Sequence, residues 1–523
     1  MSVRDALFYN VLTCGVLSIT PLWVFLAGPA SFAGGNLSLA ILLAGVFTIP
    51  VGLAYAMLAC SMPRTGGEYV YQSRILHPSV GFAVVFAATG IFSFSWVALS
   101  VVAISRFLST LFAVIGGETS NTGMIGLSNL ALTNNVVLVL GALIIGFLCF
   151  ILIMGLKWYC RLQVILFYGM VASVLVIAGV SLMTSTAVFA DKFNSVMVNF
   201  QNQPNAYSAA IQNASSAGFP VNQPFSWIAT LGIAPLWFTG TIWLYYSTYQ
   251  GGEIKAAGVF KNQLIQILGG LAGYVFLVFL YTFSVSQMVG SEFLNGMSYG
   301  YVNGVGIGGL PIAGAAFILF ASVAAGPILS IVIFFGYVCN LIQTVFNSSF
   351  APIRALFAMS FDRVLPTKVS DVDERFHGPW VASLIAVVLS VLWLLLELFL
   401  PSFASYLTVM MVTTTFLLMV SMVAAILFPF TLKDVYKASP ISKYEVAGVP
   451  MITIFGIIGL IVTTSMNYVY VINPTYGASG SPIVIGLNVS IILGGFVYYF
   501  LASWYRKRQG IEIGLAFKGV PPE

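Results

Sequence analysis

The sequence predicts an all-α membrane protein of about twelve transmembrane helices. It predicts a 5+5 inverted repeat with discontinuous helices 1 and 6, followed by two C-terminal helices. Three observations carry this: scarce charge, a countable series of apolar runs, and basic residues confined to one side. Of 523 residues, 59% are hydrophobic and only 7% are charged, against about 25% charged in a soluble domain. The mean hydropathy is +1.00. So little charge does not cover a water-facing surface, and lipid is the solvent for most of the chain. Many of the 50 glycines, such as Gly169, Gly179 and Gly270, lie inside apolar runs, where small residues let membrane helices approach closely. The 42 Phe and 24 Tyr suit lipid contact and interfacial belts.

A spanning helix needs about 20 mainly apolar residues. Twelve runs qualify, near 10–30, 37–61, 80–114, 135–155, 162–186, 227–249, 263–288, 312–345, 379–400, 402–429, 448–470 and 482–504. The third and eighth exceed the need, so they tilt or project beyond the bilayer. With the N-terminus in the cytoplasm, eighteen of the 20 Lys and Arg fall inside, from Arg4 to Lys518. Lys192 alone falls outside, and Arg106 lies within the third span. This obeys the positive-inside rule and calls for an even number of spans with both termini cytoplasmic. The net charge of +5 is thus a topology signal, with no nucleic-acid partner implied.

The same residues exclude other classes. The five cysteines, Cys14, Cys60, Cys149, Cys160 and Cys339, lie in or beside apolar runs without metal-ligand spacing or a disulfide pattern. The two histidines, His77 and His377, fall in expected cytoplasmic loops. No cluster of His, Cys and carboxylates exists in the sequence, so we expect no enzyme, no metal and no cofactor. The first apolar run continues into Pro- and Gly-containing sequence, unlike a cleaved signal peptide. The outside segment 187–226 is polar and nearly uncharged, with a possible glycan acceptor at Asn213-Ala-Ser215. The longest inside loop, 346–378, is too short to bury a core.

A substrate site at mid-membrane needs exposed backbone groups, which are tolerated only where a helix breaks around a cavity. Pro21 lacks an N–H and disfavours helix at Thr20, placing a break near the middle of span 1. Ser18 and Thr20 supply hydroxyls beside it. In span 6, Gly240 between Thr239 and Thr241 is a natural unwinding point, flanked by Trp237, Phe238, Trp243 and Tyr245. Breaks in spans 1 and 6 imply two five-helix repeats of inverted topology, about 10–186 and 227–430, within a core of 1–430. Residues 431–523 add two helices and a cytoplasmic tail.

The loop after span 2 carries Pro63, Gly66, Gly67, Tyr69, Tyr71, Gly81 and Phe82. This resembles the P-x-x-G-G-x-Y-x-Y…G-F signature of the amino acid–polyamine–organocation superfamily, with Gly66-Gly67 turning into a cytoplasmic helical segment. The stretch Gly252-Glu253-Ile254-Lys255 resembles that family's acidic motif. The stretch from Arg354 to Pro366 resembles its loop after span 8. The resemblance covers roughly 10–430 and implies the inverted-repeat fold and amino acid or polyamine substrates. Two departures stand out. Thr20, Pro21 and Leu22 replace the family's Gly-rich span 1 motif, and Trp243 stands where span 6 usually has glycine. Both imply a smaller or differently shaped pocket.

Carried over, the resemblance places substrate at Ser18, Ile19, Thr20, Pro21 and Leu22, and at Phe238, Thr239, Gly240, Thr241 and Trp243. Backbone N–H groups would meet a carboxylate, and carbonyls an amine. A half-helix N-terminus favours the anion for the same dipole reason. Arg106 is either a gating residue or a snorkelling cation, and Glu397 lies near the outer boundary of span 9. Coupling stays open among a proton (through Glu253 or another site), sodium, exchange and uncoupled diffusion. Ser322 and Ser330 stand alone in the expected span 8, without the adjacent hydroxyls some relatives use for sodium. The leading expectation is a secondary amino acid transporter of the plasma membrane. The alternatives are a polyamine or other amine carrier and a non-transporting nutrient sensor.

Overall fold

A computed structural model describes residues 1–305, 316–373, 378–400, 410–476 and 482–519. Among these, twelve helices are long and apolar enough to cross a membrane. In order, spans 1–12 are Val3–Ser31, Leu37–Ser61, Pro78–Thr119, Asn134–Met154, Leu156–Met183, Trp227–Tyr249, Phe260–Val289, Pro327–Phe361, Trp380–Phe399, Met410–Thr431, Met451–Ile472 and Ile485–Arg508. The only strands among the described residues are Glu445–Val446 and Val449–Pro450. The chain is therefore an all-α, multi-pass membrane protein.

Local chemistry sets several helix starts. Ser2 and Asp5 form a reciprocal capping box ahead of span 1. Asn36 caps span 2 by accepting from the Leu39 N–H at 2.9 Å, and Ser226 caps span 6 at the Ala229 N–H. Between spans 5 and 6, the expected polar outside segment forms the helices Thr186–Gln201 and Ala206–Ser216. The first packs through Phe189 and Phe193, and the second through Tyr207, against Phe293.

Span 8 departs most from expectation. It runs Pro327–Phe361 in place of 312–345, and a separate short helix, Ala316–Ala325, precedes it. Gly326 takes φ +80°, a region open chiefly to glycine, and Pro327 restarts the helix at a position where its missing N–H costs nothing. At the other end, residues 346–349, expected to open the inside loop 346–378, are helical and buried. The first part of the expected tenth span, 402–409, and the residues Arg375 and His377 lie outside the described residues.

Small residues set helix spacing where expected at two of three places. A Cβ at Gly336 of span 8 would lie 2.1 Å from the Ser173 Cβ of span 5 and 2.7 Å from the Gly169 carbonyl. A Cβ at Gly270 would touch Asn10 at 3.0 Å, whereas Gly179 faces open space.

The basic loops share one end of the bundle. There the Met1 amino group donates to the Glu253 carbonyl (2.8 Å), and Arg354 pairs with the Glu253 carboxylate (3.1 Å). Arg74 pairs with Asp362 (2.7 Å), and Arg506 donates to the Arg363 carbonyl (3.2 Å). Lys192, the cation expected on the other side, donates instead to the Ala324 carbonyl (2.7 Å), closing the helix Ala316–Ala325.

Candidate functional site

Span 1 is two helices, Val3–Cys14 and Ile19–Ser31, joined by Gly15, Val16, Leu17 and Ser18. The break thus falls about five residues before Pro21. A proline in the first turn of a helix sacrifices no bond, because that N–H lacks an intrahelical partner anyway. Pro21 opens the second half-helix and does not interrupt it. The interruption belongs to Gly15, at φ +77°, where a Cβ would also lie 2.2 Å from the Ser18 Oγ.

Neighbouring spans satisfy the freed backbone. Asn340 of span 8 works as a two-sided clamp: its Oδ1 accepts from the Leu17 N–H (2.8 Å) and its Nδ2 donates to the Leu12 carbonyl (3.1 Å). Tyr281 of span 7 donates to the Val16 carbonyl (3.0 Å), and Ser18 Oγ donates to the Gly15 carbonyl (2.9 Å). No side chain caps the second half-helix through Ser18, so its first amide groups face the break with a partial positive charge.

Span 6 changes its winding without a gap. It is α-helical over Trp227–Thr241 and 3₁₀ over Ile242–Tyr249. The change comes just after Gly240. That glycine serves contact more than unwinding: a Cβ there would lie 2.2 Å from the Tyr274 hydroxyl and 3.2 Å from the Cys14 carbonyl.

The two discontinuities meet at a small cavity lined by Thr13, Cys14, Ser18, Thr20, Trp96, Trp243, Tyr246, Thr344 and Ser348. Its volume is about 20 Å³, room for about one water molecule. Trp243 meets Trp96 edge-on at 5.9 Å and Tyr246 edge-on at 5.3 Å, which makes an aromatic wall. The Trp96 Nε1 is buried without a hydrogen-bond partner among the described residues.

Of the expected site residues, Ser18, Thr20 and Trp243 line this cavity. Ile19 and Leu22 line a separate, wider pocket of about 240 Å³ that also holds Arg106 and Glu397. Pro21 is buried and lines neither. Phe238, Thr239, Gly240 and Thr241 are buried away from the cavity. Thr239 donates to the Leu236 carbonyl, and Thr241 shares a hydrogen bond of 2.7 Å with Thr48.

Residue-by-residue reading missed Thr13, Cys14, Trp96, Tyr246, Thr344 and Ser348. Thr344 and Ser348 stand four apart on one helical face, but the expected end of span 8 at 345 fell between them. The same shift brings Ser348 and Ser349 into the span as adjacent hydroxyls, correcting the expectation that its serines stand alone.

The family-motif loop packs at the basic end. Gly66 and Gly67 have φ +109° and +49°, and Gly67 opens the helix Glu68–Ile75. The Gly66 N–H donates to the Tyr249 carbonyl (3.0 Å), joining this loop to the end of span 6. Pro63 lines an open pocket of about 650 Å³ together with Arg74, Gly252 and Asp362. Tyr69 and Tyr71 are buried, with the Arg74 guanidinium over the Tyr69 ring at 5.6 Å. Glu253, a coupling candidate by sequence, makes the ion pair with Arg354 described above.

A broken first span clamped by the eighth, a rewound sixth span and a glycine-turned loop beneath them form one connected arrangement. The amino acid permease family model matches residues 7–497, and so takes in span 11 and the first half of span 12, which the motifs did not cover. No curated protein matches the chain. With nearly its whole length matched, the chain belongs to the amino acid permease family and is a transporter.

Proposed function

We propose that the chain is a secondary transporter that moves amino acids across the plasma membrane by alternating access. The substrate sits at the breaks of spans 1 and 6. The observation that carries this reading is the cavity lining: hydroxyls, aromatic rings and broken-helix backbone, with no ionised side chain among the described lining residues. A zwitterion suits such a site. The amides that open the second half-helix favour its carboxylate, and the carbonyls that end the first favour its amine. The unpartnered Trp96 N–H offers a further donor. A polyamine would call for carboxylates, which this lining lacks.

The cavity is far smaller than an ordinary ligand pocket of about 300–1,000 Å³, so binding requires it to widen toward one side. The pocket holding Arg106 and Glu397 adjoins the same half-helix through Ile19 and Leu22, which supports a place for Arg106 on the outer approach. We read spans 1–5 and 6–10 as inverted repeats and place both termini in the cytoplasm by the charge rule.

The test is uptake into proteoliposomes of a panel of labelled amino acids and one polyamine. Saturable amino acid uptake, lost in folded Thr20→Trp, supports the site. Polyamine uptake alone moves the reading to an amine carrier. Binding without flux of any member makes the chain a sensor.

A further inference from the structure

Glu68 occupies an unassigned position of the glycine-turned loop, and it is fully buried. Its carboxylate is held by hydroxyls from three separate spans. Tyr249 of span 6 donates to Oε2 at 2.6 Å, Ser421 of span 10 donates to Oε1 at 3.1 Å, and Tyr55 of span 2 donates to Oε1. Tyr245 of span 6, stacked on Tyr55 at 4.2 Å, faces the same carboxylate.

The other titratable groups near it are Tyr71 of its own helix and Tyr246 of span 6, with Cys60 of span 2 beside Tyr71. All are neutral at ordinary pH. The nearby ions of span 8 are already committed, Asp362 to Arg74 and Arg354 to Glu253. Among the described residues no Lys, Arg or His pairs with Glu68.

A buried carboxylate without a counter-charge holds its proton more tightly than one in water. Burial raises Glu68 to about 7, even with the hydroxyls pulling the other way. Its setting also links it to the cavity. Tyr249 lies on the same 3₁₀ segment, Ile242–Tyr249, as the lining residues Trp243 and Tyr246. The seam that joins this segment to the loop, at Thr65 and Gln250, borders the open pocket at the basic end.

We propose that Glu68 is a proton-binding latch on the basic-end gate. When span 6 closes on the loop, Glu68 takes a proton from water in the adjoining pocket. When the seam parts, the hydrated carboxyl returns that proton to the same water. Acid at this face therefore favours the closed gate, and alkali favours opening. The inference rests on the alternating-access reading, but its test needs no substrate.

Gln250 is fully buried at the seam. Gln250→Cys, labelled with a membrane-impermeant maleimide at equal pH on both faces, reports opening. The readout is its labelling rate divided by that of Gln250→Cys with Glu68→Gln, so the thiol's own pH dependence cancels. We expect this ratio to rise several-fold between about pH 6 and about pH 8, around the midpoint near 7. Tyr249→Phe keeps the carboxyl but removes a donor to its anion, so it shifts the midpoint upward; where Glu68→Gln does not fold, Gln250→Cys with Tyr249→Phe becomes the reference, and the ratio changes between the two midpoints. A ratio that stays flat, or a midpoint that Tyr249→Phe leaves in place, overturns the latch. Amino acid flux with a flat ratio keeps the transport reading and rejects the latch. A titrating ratio without flux of any panel member keeps the latch and rejects the amino acid reading.

Discussion

The broken-helix cavity and the basic end beneath it are both buried and polar, but they are built from opposite materials. The cavity uses backbone groups, hydroxyls and indole rings, with no ionised residue among its described lining. The basic end gathers Glu68, the Arg74–Asp362 pair and the Glu253–Arg354 pair. Dipoles hold a ligand and release it at little cost, because no buried ion is left stranded when the ligand departs. Ion pairs and buried acids are costly to separate, which suits groups that set which gate is open.

Four substitutions sharpen or break that comparison. Thr20→Trp adds a large ring to a cavity of about 20 Å³, so uptake should vanish while the protein still elutes as a folded particle. Retained uptake would move the substrate elsewhere. Arg74→Ala strips a partner from Asp362, whose side chain is 5% exposed. Breaking such a buried pair costs about 3–5 kcal/mol, so thermal melting in detergent should collapse. An unchanged melt would remove the contrast between the two regions.

Asn340→Leu leaves the Leu17 N–H and the Leu12 carbonyl without this partner. At roughly 1–3 kcal/mol for a stranded buried group, melting should fall by less than for Arg74→Ala, with transport falling alongside. If stability drops and transport persists, the clamp is structural only. Arg354→Gln should matter least, because its partner Glu253 keeps a side chain 29% exposed and partly solvated pairs contribute about 1 kcal/mol or less. A larger loss would mean that this pair, like Arg74–Asp362, bears on the gate.

Much of the fold could be read from the chain, because lipid imposes its requirement along the sequence. Each crossing needs a long apolar run, and each basic loop has a preferred side. Both discontinuities were legible too, since Pro21 and Gly240 flagged the right spans. The position held to within two residues in span 6 but not in span 1, and neither residue acts as expected. Pro21 proved a comfortable first-turn residue, and Gly240 proved a contact glycine under Tyr274. The end of span 8 failed for a related reason. Hydropathy scores each residue against its solvent, so Asn347, Ser348 and Ser349 read as leaving the membrane.

The sequence by itself determined the class, the number of crossings, the glycine-turned loop and which spans break. The tertiary structure alone decided which residues line the cavity, and that Asn340 and Tyr281 hold the broken backbone. It alone gathered Tyr55, Tyr249 and Ser421 around Glu68. A polar group inside a bundle is stable only through partners supplied by other helices. Apart from Tyr55, 13 residues from Glu68, those partners lie between 181 and 353 residues away in the chain, where no local pattern records them.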